Sequence, residues 1–95
     1  MEQKLTFQKS TVPGYASEVV VTVEKDFALR VESDPTSRVT LFVSSITGKQ
    51  GQLKNSGVCD EEGIFDQDYD FIVYPKHITI RTTSPVRDAY IKEVE

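Results

Sequence analysis

The sequence contains no tryptophan, a single cysteine and a single histidine among its 95 residues. One cysteine cannot form a disulfide within the chain, so the fold cannot rely on internal crosslinks. The Cys…Trp…Cys signature of true immunoglobulin domains is excluded as well. A reducing compartment fits this composition, and Cys59 is interpreted as a free thiol with a small apolar side chain.

Clusters of basic residues are absent. The 11 Lys and Arg residues are scattered singly against 15 Asp and Glu residues, which gives a net charge of −4. Nucleic-acid binding normally shows as clustered positive charge. We therefore expect no nucleic-acid partner.

Long apolar runs are absent too. The longest uncharged stretch, 39–48, contains four Ser and Thr residues, whereas a spanning helix needs about 20 apolar residues. The amino-terminal residues MEQKLTF lack the apolar region of a signal peptide. We expect no membrane partner and a protein that is cytoplasmic when it is synthesised, with a virion as the alternative final location.

Side chains branched at Cβ are present in excess. There are 12 Val, 6 Ile and 9 Thr residues against 3 Ala and 4 Leu. Branching at Cβ suits a pleated strand and restricts the side chain in a helix. This composition predicts an all-β protein and excludes a helical bundle, a coiled coil and an α/β enzyme fold with long crossover helices.

The clearest pattern is a series of apolar residues at odd positions from Val19 to Val31. A hairpin with a three-residue loop at 24–26 would pair Val23 with Phe27 and keep one face apolar. The alternative is one long strand that bends at the same loop and contributes to both sheets of a sandwich. The alternation fits both, and we favour the hairpin.

Turn signals recur every 8–12 residues along the chain, a spacing typical of small β-sandwiches. They lie at Pro13-Gly14, 33–35, Pro75 and Ser84-Pro85. Further strands are predicted over 4–9, 38–46, 69–74, 76–82 and 87–94. The predicted fold class is all-β, a small antiparallel β-sandwich of about 7–8 strands that is immunoglobulin-like or jelly-roll-like.

The length of 95 residues predicts a single β-sandwich domain over 1–95. Within it, 1–10 is interpreted as an N-terminal strand or docking arm. The segment 47–57 contains three glycines with Asn and Ser among two lysines, which is typical of an exposed loop. Long loops of this kind often carry binding sites.

The densest charged segment is 60–70, with six carboxylates in eleven residues. Its DxDxD pattern at 66–70 begins like an EF-hand calcium loop, but Phe71 stands where that loop has Gly and His77 where it has Glu. A looser calcium site remains open. Its candidate ligands are Asp60, Glu62, Asp66 and Asp68.

The same spacing also fits a strand without a ligand. Side chains alternate between the two faces of a strand, so the aspartates would face solvent while Phe65, Tyr69 and Phe71 face inward. Charge on a sheet edge would in addition deter edge-to-edge pairing.

Catalytic motifs are missing from the sequence. His77 is the single histidine, and neither Ser44-Ser45 nor Cys59 lies in a nucleophile elbow or a catalytic-cysteine motif. One His and one Cys supply only part of the three or four ligands of a zinc site. We expect a protein that is not an enzyme and has no cofactor, with calcium as the alternative.

These exclusions leave a protein that acts through its surface. We predict a structural or assembly module, a small β-sandwich subunit that docks on a larger protein array and forms oligomers, for example an accessory or capsid-decoration virion protein of a phage. That example is an analogy of fold and size alone. The candidate docking residues are Leu5, Phe7, Lys49, Lys54 and Tyr90.

The alternative is a ligand-binding β-sandwich module. It would recognise carbohydrate or calcium through the 47–57 loop and the acidic 60–70 segment.

Overall fold

The computed structural model describes residues 2–45, 52–71 and 74–93, which form nine β-strands and no helix. The strands are β1 (Glu2–Lys4), β2 (Gln8–Lys9), β3 (Ser17–Val23), β4 (Phe27–Glu32), β5 (Arg38–Ser45), β6 (Gln52–Val58), β7 (Ile64–Tyr69), β8 (Lys76–Thr82) and β9 (Asp88–Glu93). They form two antiparallel sheets, so the predicted all-β sandwich is confirmed.

The strands pair in a nested order. β5 pairs with β6, β4 with β7, β3 with β8 and β1 with β9, always antiparallel. Successive pairs alternate between a four-stranded sheet, β1-β9-β4-β7, and a five-stranded sheet, β2-β3-β8-β5-β6. A long hairpin rolled up in this way is a jelly roll. The immunoglobulin-like alternative does not fit, because there the first and last strands lie in different sheets.

The favoured hairpin at 24–26 is wrong. β3 pairs with β2 and β8 in the five-stranded sheet, whereas β4 pairs with β7 and β9 in the four-stranded sheet. The chain crosses between the sheets at 24–26, as the bent-strand alternative required. The odd positions face the core on both sides of the crossing, and for this reason their alternation could not identify the pairing partner.

The expected exposed loop at 47–57 is wrong for its second half. β6 begins at Gln52 and pairs with β5, while 47–51 lies outside the described residues. An edge strand can be built from polar residues and glycine because its backbone pairs on one side and its side chains line little of the core. Such a strand resembles a loop in composition.

The N-terminal segment is divided between the two sheets. β1 pairs with β9 and β2 pairs with β3, so the single strand expected over 4–9 is wrong. Between them the Leu5 N–H donates to the Ala89 carbonyl at 2.8 Å, and the Leu5 side chain is buried. The segment is therefore part of this chain's own fold.

The strand predicted at 69–74 is also wrong, because β7 occupies Ile64–Tyr69 and ends where that strand was expected to begin. By contrast β5, β8 and β9 lie within one or two residues of their predicted bounds. Asp66 and Asp68 thus belong to the strand itself and are exposed, with Phe65 and Tyr69 on its buried face. This outcome confirms the interpretation of the aspartate spacing as strand alternation.

The core fills the space between the sheets with buried side chains from β3, β4, β5, β7, β8 and β9, together with Leu5 and Cys59. Its fully enclosed members include Val23, Phe27, Leu29, Val31, Val39, Leu41, Ile78, Ile80 and Ile91. Gly57 on β6 makes room for Phe65 on β7, since a Cβ at this position would lie 2.7 Å from the Phe65 ring. Across the same core the Tyr69 hydroxyl donates to Asn55 at 3.3 Å and links the two sheets.

Candidate functional site

The chemically reactive side chains do not form a catalytic or metal-binding group. His77 Nδ1 lies 3.0 Å from the Thr22 hydroxyl, and Cys59 is buried, which raises the pKa of its thiol, an effect that Asp60 reinforces. Among residues 2–45, 52–71 and 74–93, no three His, Cys, Asp or Glu side chains are placed to share a metal ion. None of these residues forms a helix that could cross a membrane.

The four calcium candidates are not brought together. Asp60 Oδ1 accepts hydrogen bonds from the backbone N–H groups of Glu62 and Ile64 at 2.8 and 3.0 Å, which organises the turn before β7. Asp66 lies on the outer face of β7 and pairs with Arg30 at 3.4 Å. Asp68 is exposed on the same face. The carboxylates therefore serve the turn and the solvent face of the strand.

The outer face of the four-stranded sheet is densely charged, and we call it the charged face. Its charged residues are Glu2, Lys4, Arg30, Glu32, Asp66, Asp68, Asp88 and Lys92, placed there by the strand registers. Three ion pairs of 3.4–3.9 Å join some of them. Tyr90, a candidate docking residue, lies half-buried among these charges and opposite Lys4 and Arg30. A hydrated charged surface of this kind favours solubility over docking.

The outer face of the five-stranded sheet is different, and we call it the five-stranded face. Its central residues are Glu18, Val20, Thr22, His77, Thr79, Arg81, Thr40 and Phe42, as the registers of β3, β8 and β5 require. Val20 is 59% exposed and lies beyond the two-residue strand β2, which pairs only with Ser17 and Glu18 of β3. Of the described side chains on this face, only Glu18, Arg81 and Arg38 carry a formal charge.

Arg81 is held at the middle of the five-stranded face by two aromatic rings. Its guanidinium carbon lies 4.9 Å from the centroid of Phe42 and 6.0 Å from that of Tyr15. The Nε atom lies 3.4 Å from Glu18 Oε1, which also accepts the Ser10 hydroxyl at 2.6 Å. Stacking and ion pairing restrict these side chains, so they retain little conformational entropy.

The turn at Pro13-Gly14 places Tyr15 over this face. Gly14 has φ of 90°, and the Tyr15 N–H donates to the Val12 carbonyl at 3.2 Å. This is the geometry in which Pro precedes a glycine of positive φ in a tight turn. The chain then enters β3 with Tyr15 beside Arg81.

Leu5 and Phe7, two further docking candidates, lie away from the five-stranded face. Leu5 is buried and Phe7 half-buried beside an open cleft of about 310 Å³, which is lined by 4–7 and 86–88. Lys49 lies outside the described residues. Lys54 belongs to the edge strand β6, and its side chain is outside the described part of the chain.

The sequence contained a partial signal for the five-stranded face. Val20 follows Val19 and precedes Val21, so an apolar residue had to point away from the core, and Phe42 stands on the opposite face from Leu41. The sequence does not show that β3, β8 and β5 are neighbours in one sheet. Only this tertiary arrangement brings Val20, Phe42 and Arg81 onto one surface.

Comparison with known proteins identifies no relative: no protein-family model, no curated protein and no solved structure matches the chain.

Proposed function

We propose that the protein is a non-enzymatic structural or assembly module that docks on a larger protein array through its five-stranded face. The observation that carries this proposal is the contrast between the two outer faces. One is covered with charged residues, whereas the other presents Val20, Phe42 and Thr side chains around a stacked arginine. Aromatic and arginine side chains are enriched at interface centres, where charged residues are few.

The size of the five-stranded face favours an array over a single tight partner. The four long strands of this sheet have seven or eight residues each, and at about 4.8 Å between strands and about 3.3 Å per residue they span roughly 440 Å². A standard interface buries about 800 Å² on each partner. One face thus supports a modest affinity, which a repetitive array converts into stable attachment through multiple simultaneous contacts.

The jelly roll adds support by analogy. This architecture recurs in viral capsid proteins as well as in lectin domains, and an accessory or decoration subunit of a virion is one role of the proposed kind. The analogy concerns fold alone. Recognition of calcium or carbohydrate has less support. Asp60 in the acidic segment already accepts two backbone hydrogen bonds in its own turn, and the Arg81 guanidinium is already stacked against Phe42 and Tyr15.

The test compares substitutions on the two outer faces. The wild-type chain, Val20→Asp and the matched control Ala28→Asp are immobilised and exposed to an extract of the cells or particles in which the protein occurs. Both positions are outward-facing strand residues, Val20 on the five-stranded face and Ala28 on the charged face. A protein retained by the wild type is then purified and titrated against all three chains.

We expect Val20→Asp to weaken binding of the purified partner at least tenfold, since it places a charge in an apolar contact. Ala28→Asp should bind within twofold of the wild type. Equal binding by Val20→Asp and the wild type would show that the five-stranded face is not the docking surface. Specific retention of nucleic acid or glycan in place of protein would overturn the assembly role itself.

A further inference from the structure

One side of the sandwich contains an uncovered stretch of β3. Since β2 pairs only with Ser17 and Glu18, the outer side of the next five residues, 19–23, meets none of the strands that the structure describes. These residues are four valines and one threonine. An edge of β-branched residues without charge, proline or glycine is well suited to the addition of another strand.

The other edges are protected against pairing. β7 carries Asp66 and Asp68 at alternate positions. β6 has Lys54 at the point where its register with β5 shifts, and β1 and β2 have only three and two residues. Charged residues, bulges and short length are the features by which natural edge strands avoid pairing. The stretch 19–23 has no charge and no bulge.

The hydrogen bonds at the start of β3 show which backbone groups this edge offers. The Ala16 carbonyl accepts the Ser10 N–H at 3.1 Å, on the side of β2. Because bonding directions alternate along an antiparallel strand, Glu18, Val20 and Thr22 direct their N–H and C=O groups to this same side. Glu18 is covered by β2. Val20 and Thr22 thus offer four backbone groups to a strand placed beside them.

β1 runs along the same side of the sandwich in the other sheet. Residues 5–7 connect its end to β2, and three residues of about 3.3 Å each span only the ~10 Å between two packed sheets. Val21 and Leu29 are equally distant from the crossing at 24–26. Through β9, Leu29 is aligned with Gln3, so Gln3 lies at about the level of Val21.

Two inward-facing side chains show that this side of the sandwich is open. Gln3 points the same way as the buried Ile91 with which it pairs, but it is exposed. Val19 faces inward next to the buried Val21, and it is only half-buried. Another molecule against this side would cover both of them, together with the edge at Val20, which is 59% exposed.

We propose that this side binds a second copy of the chain about a two-fold axis that passes through Val21 of β3 and Gln3 of β1. The axis pairs residues 19–23 of the two copies antiparallel, with Val20 of each hydrogen-bonded to Thr22 of the other. Val21 meets its own counterpart at the centre. Cross-strand pairs of β-branched residues of this kind stabilise a sheet.

Charge on the β1 edge favours a second copy as the molecule that binds here. The Leu5 N–H donates to the Ala89 carbonyl on β9, so by alternation Glu2 and Lys4 direct their backbone groups outward. An axis through Gln3 places Glu2 of each copy opposite Lys4 of the other. Opposite charges therefore meet twice, and both residues belong to β1 itself.

The paired stretch ends where each chain leaves the edge. β2 covers Glu18 at one end, and the chain crosses to β4 at 24–26 at the other. Glu24 of one copy approaches Glu18 of the other, whose charge is offset by Arg81 at 3.4 Å. So short an interface buries less than the standard ~800 Å² on each partner, and we expect dissociation at tens to hundreds of micromolar.

The dimer joins the two five-stranded sheets into one continuous sheet. Both five-stranded faces then lie on one surface and offer a partner roughly 880 Å², close to the ~800 Å² of a standard interface. The dimer goes beyond the proposed docking function and does not depend on it, because its contacts are the backbone groups of the edges and the charges of β1.

The experiment is sedimentation velocity of the purified chain between about 10 µM and 1 mM at low ionic strength, where surface charges are least screened. Glu2→Lys and Lys4→Glu are measured separately and as an equimolar mixture. Each variant alone places like charges opposite each other twice. A mixed pair of the two variants restores two contacts between opposite charges.

A second pair of variants tests the backbone of β3. Thr22→Pro removes the outward N–H but leaves the N–H groups of Val21 and Val23, which pair with β8. Proline is tolerated where the N–H of an edge strand faces solvent. Thr22→Ala is the matched control, since it loses the hydroxyl that lies 3.0 Å from His77 Nδ1 but keeps the N–H.

We expect a concentration-dependent dimer in the wild type and in Thr22→Ala. The dissociation constant should rise at least fivefold in Glu2→Lys and in Lys4→Glu, and at least tenfold in Thr22→Pro. The mixture of the two charge variants should return to within threefold of the wild type. Circular dichroism and thermal melts establish that each variant is folded, and should Thr22→Pro not fold, the charge variants decide.

A wild-type chain that is monomeric at 1 mM overturns the dimer. So does a dimer that Thr22→Pro leaves intact, or a mixture of the charge variants that associates no better than each variant alone. Glu2 and Lys4 lie outside the five-stranded face. A monomer that still binds its partner through Val20 would retain the docking function, so failure of the dimer and failure of the docking role are distinguishable.

Discussion

Gly63 and Gly14 provide a matched pair of substitutions that tests how the jelly roll is closed. Both glycines have positive φ, 82° and 90°. An added Cβ at Gly14 would meet nothing within 4 Å, whereas at Gly63 it would lie 2.1 Å from the Ser33 carbonyl oxygen and 2.6 Å from Arg87 Nη2. Alanine at the two sites therefore imposes the same backbone strain but very different contacts.

The contacts around Gly63 join three segments distant in sequence. The Ser33 N–H donates to the Gly63 carbonyl at 2.8 Å, and Arg87 Nη2 donates to the Ser33 carbonyl at 2.7 Å. The Asp60 backbone carbonyl accepts the Gly63 N–H at 3.0 Å. An alanine Cβ would have to displace the Ser33 backbone and Arg87 together, because two of its three nearest atoms belong to the Ser33 peptide.

The expected magnitudes follow from these differences. Left-handed backbone conformation costs alanine about 1–2 kcal/mol, and the stiffer unfolded chain returns about 0.4–1 kcal/mol. Gly14→Ala should therefore lower the free energy of unfolding by about 1 kcal/mol or less. Gly63→Ala should lower it by about 1–3 kcal/mol more than Gly14→Ala does, because it also disrupts hydrogen bonds worth about that much.

Urea denaturation followed by circular dichroism measures both changes, with the slope m checked for constancy. A domain of this length has about 5–14 kcal/mol of stability, so Gly63→Ala should remain folded but visibly weakened. Losses within 0.5 kcal/mol of each other would refute the reasoning, because the crowding at Gly63 would then have no energetic consequence.

Three further predictions concern buried polar groups. Burial raises the pKa of Tyr69 from 10 to about 12. The buried neutral form therefore contributes stability that is complete below pH 10 and is lost as the pH rises toward 12. Tyr69→Phe should for this reason unfold at a higher alkaline pH than the wild type in a pH titration followed by circular dichroism. Cys59 is 2% exposed and its pKa is raised, so a thiol reagent should modify it at least a hundredfold faster in urea than in buffer. Ser33→Ala should cost about 1–2 kcal/mol of unfolding free energy in urea, because the buried Ser33 hydroxyl donates to the Pro85 carbonyl at 2.8 Å.

Each of these has a clear contrary result. An unchanged alkaline midpoint in Tyr69→Phe would show that its ionisation does not limit stability at high pH. Rapid modification of Cys59 in the native chain would contradict its burial. A Ser33→Ala variant as stable as the wild type would mean that the Pro85 carbonyl finds another donor.

The sequence was sufficient for the fold class and for the buried face of most strands. Ile78 and Ile80 in β8, and Ala89 and Ile91 in β9, are buried as their alternation predicts. The alternation of apolar residues shows which face of a strand each residue occupies, but it does not show which strand lies beside it. The crossing at 24–26 was for that reason assigned the wrong partner.

Composition misled the interpretation of the edge strand and of the docking residues. β6 is polar because half of its environment is solvent, and its residues are those of a loop. Leu5 and Phe7 were predicted to dock on a partner, but they lie where the chain crosses from β1 to β2, and the Leu5 side chain is buried in this chain's own core. The five-stranded face depends on contacts between residues as distant as Tyr15 and Arg81, which no local pattern contains.

The most direct test of the central claim is hydroxyl-radical footprinting of the chain free and bound to the protein it docks on. Tyr15 and Phe42 report on the five-stranded face and Tyr90 on the charged face, within one sample. Docking through the five-stranded face predicts that oxidation of Tyr15 and Phe42 falls at least fivefold in the complex while that of Tyr90 stays within twofold. Protection of Tyr90 with Tyr15 and Phe42 unchanged would contradict it.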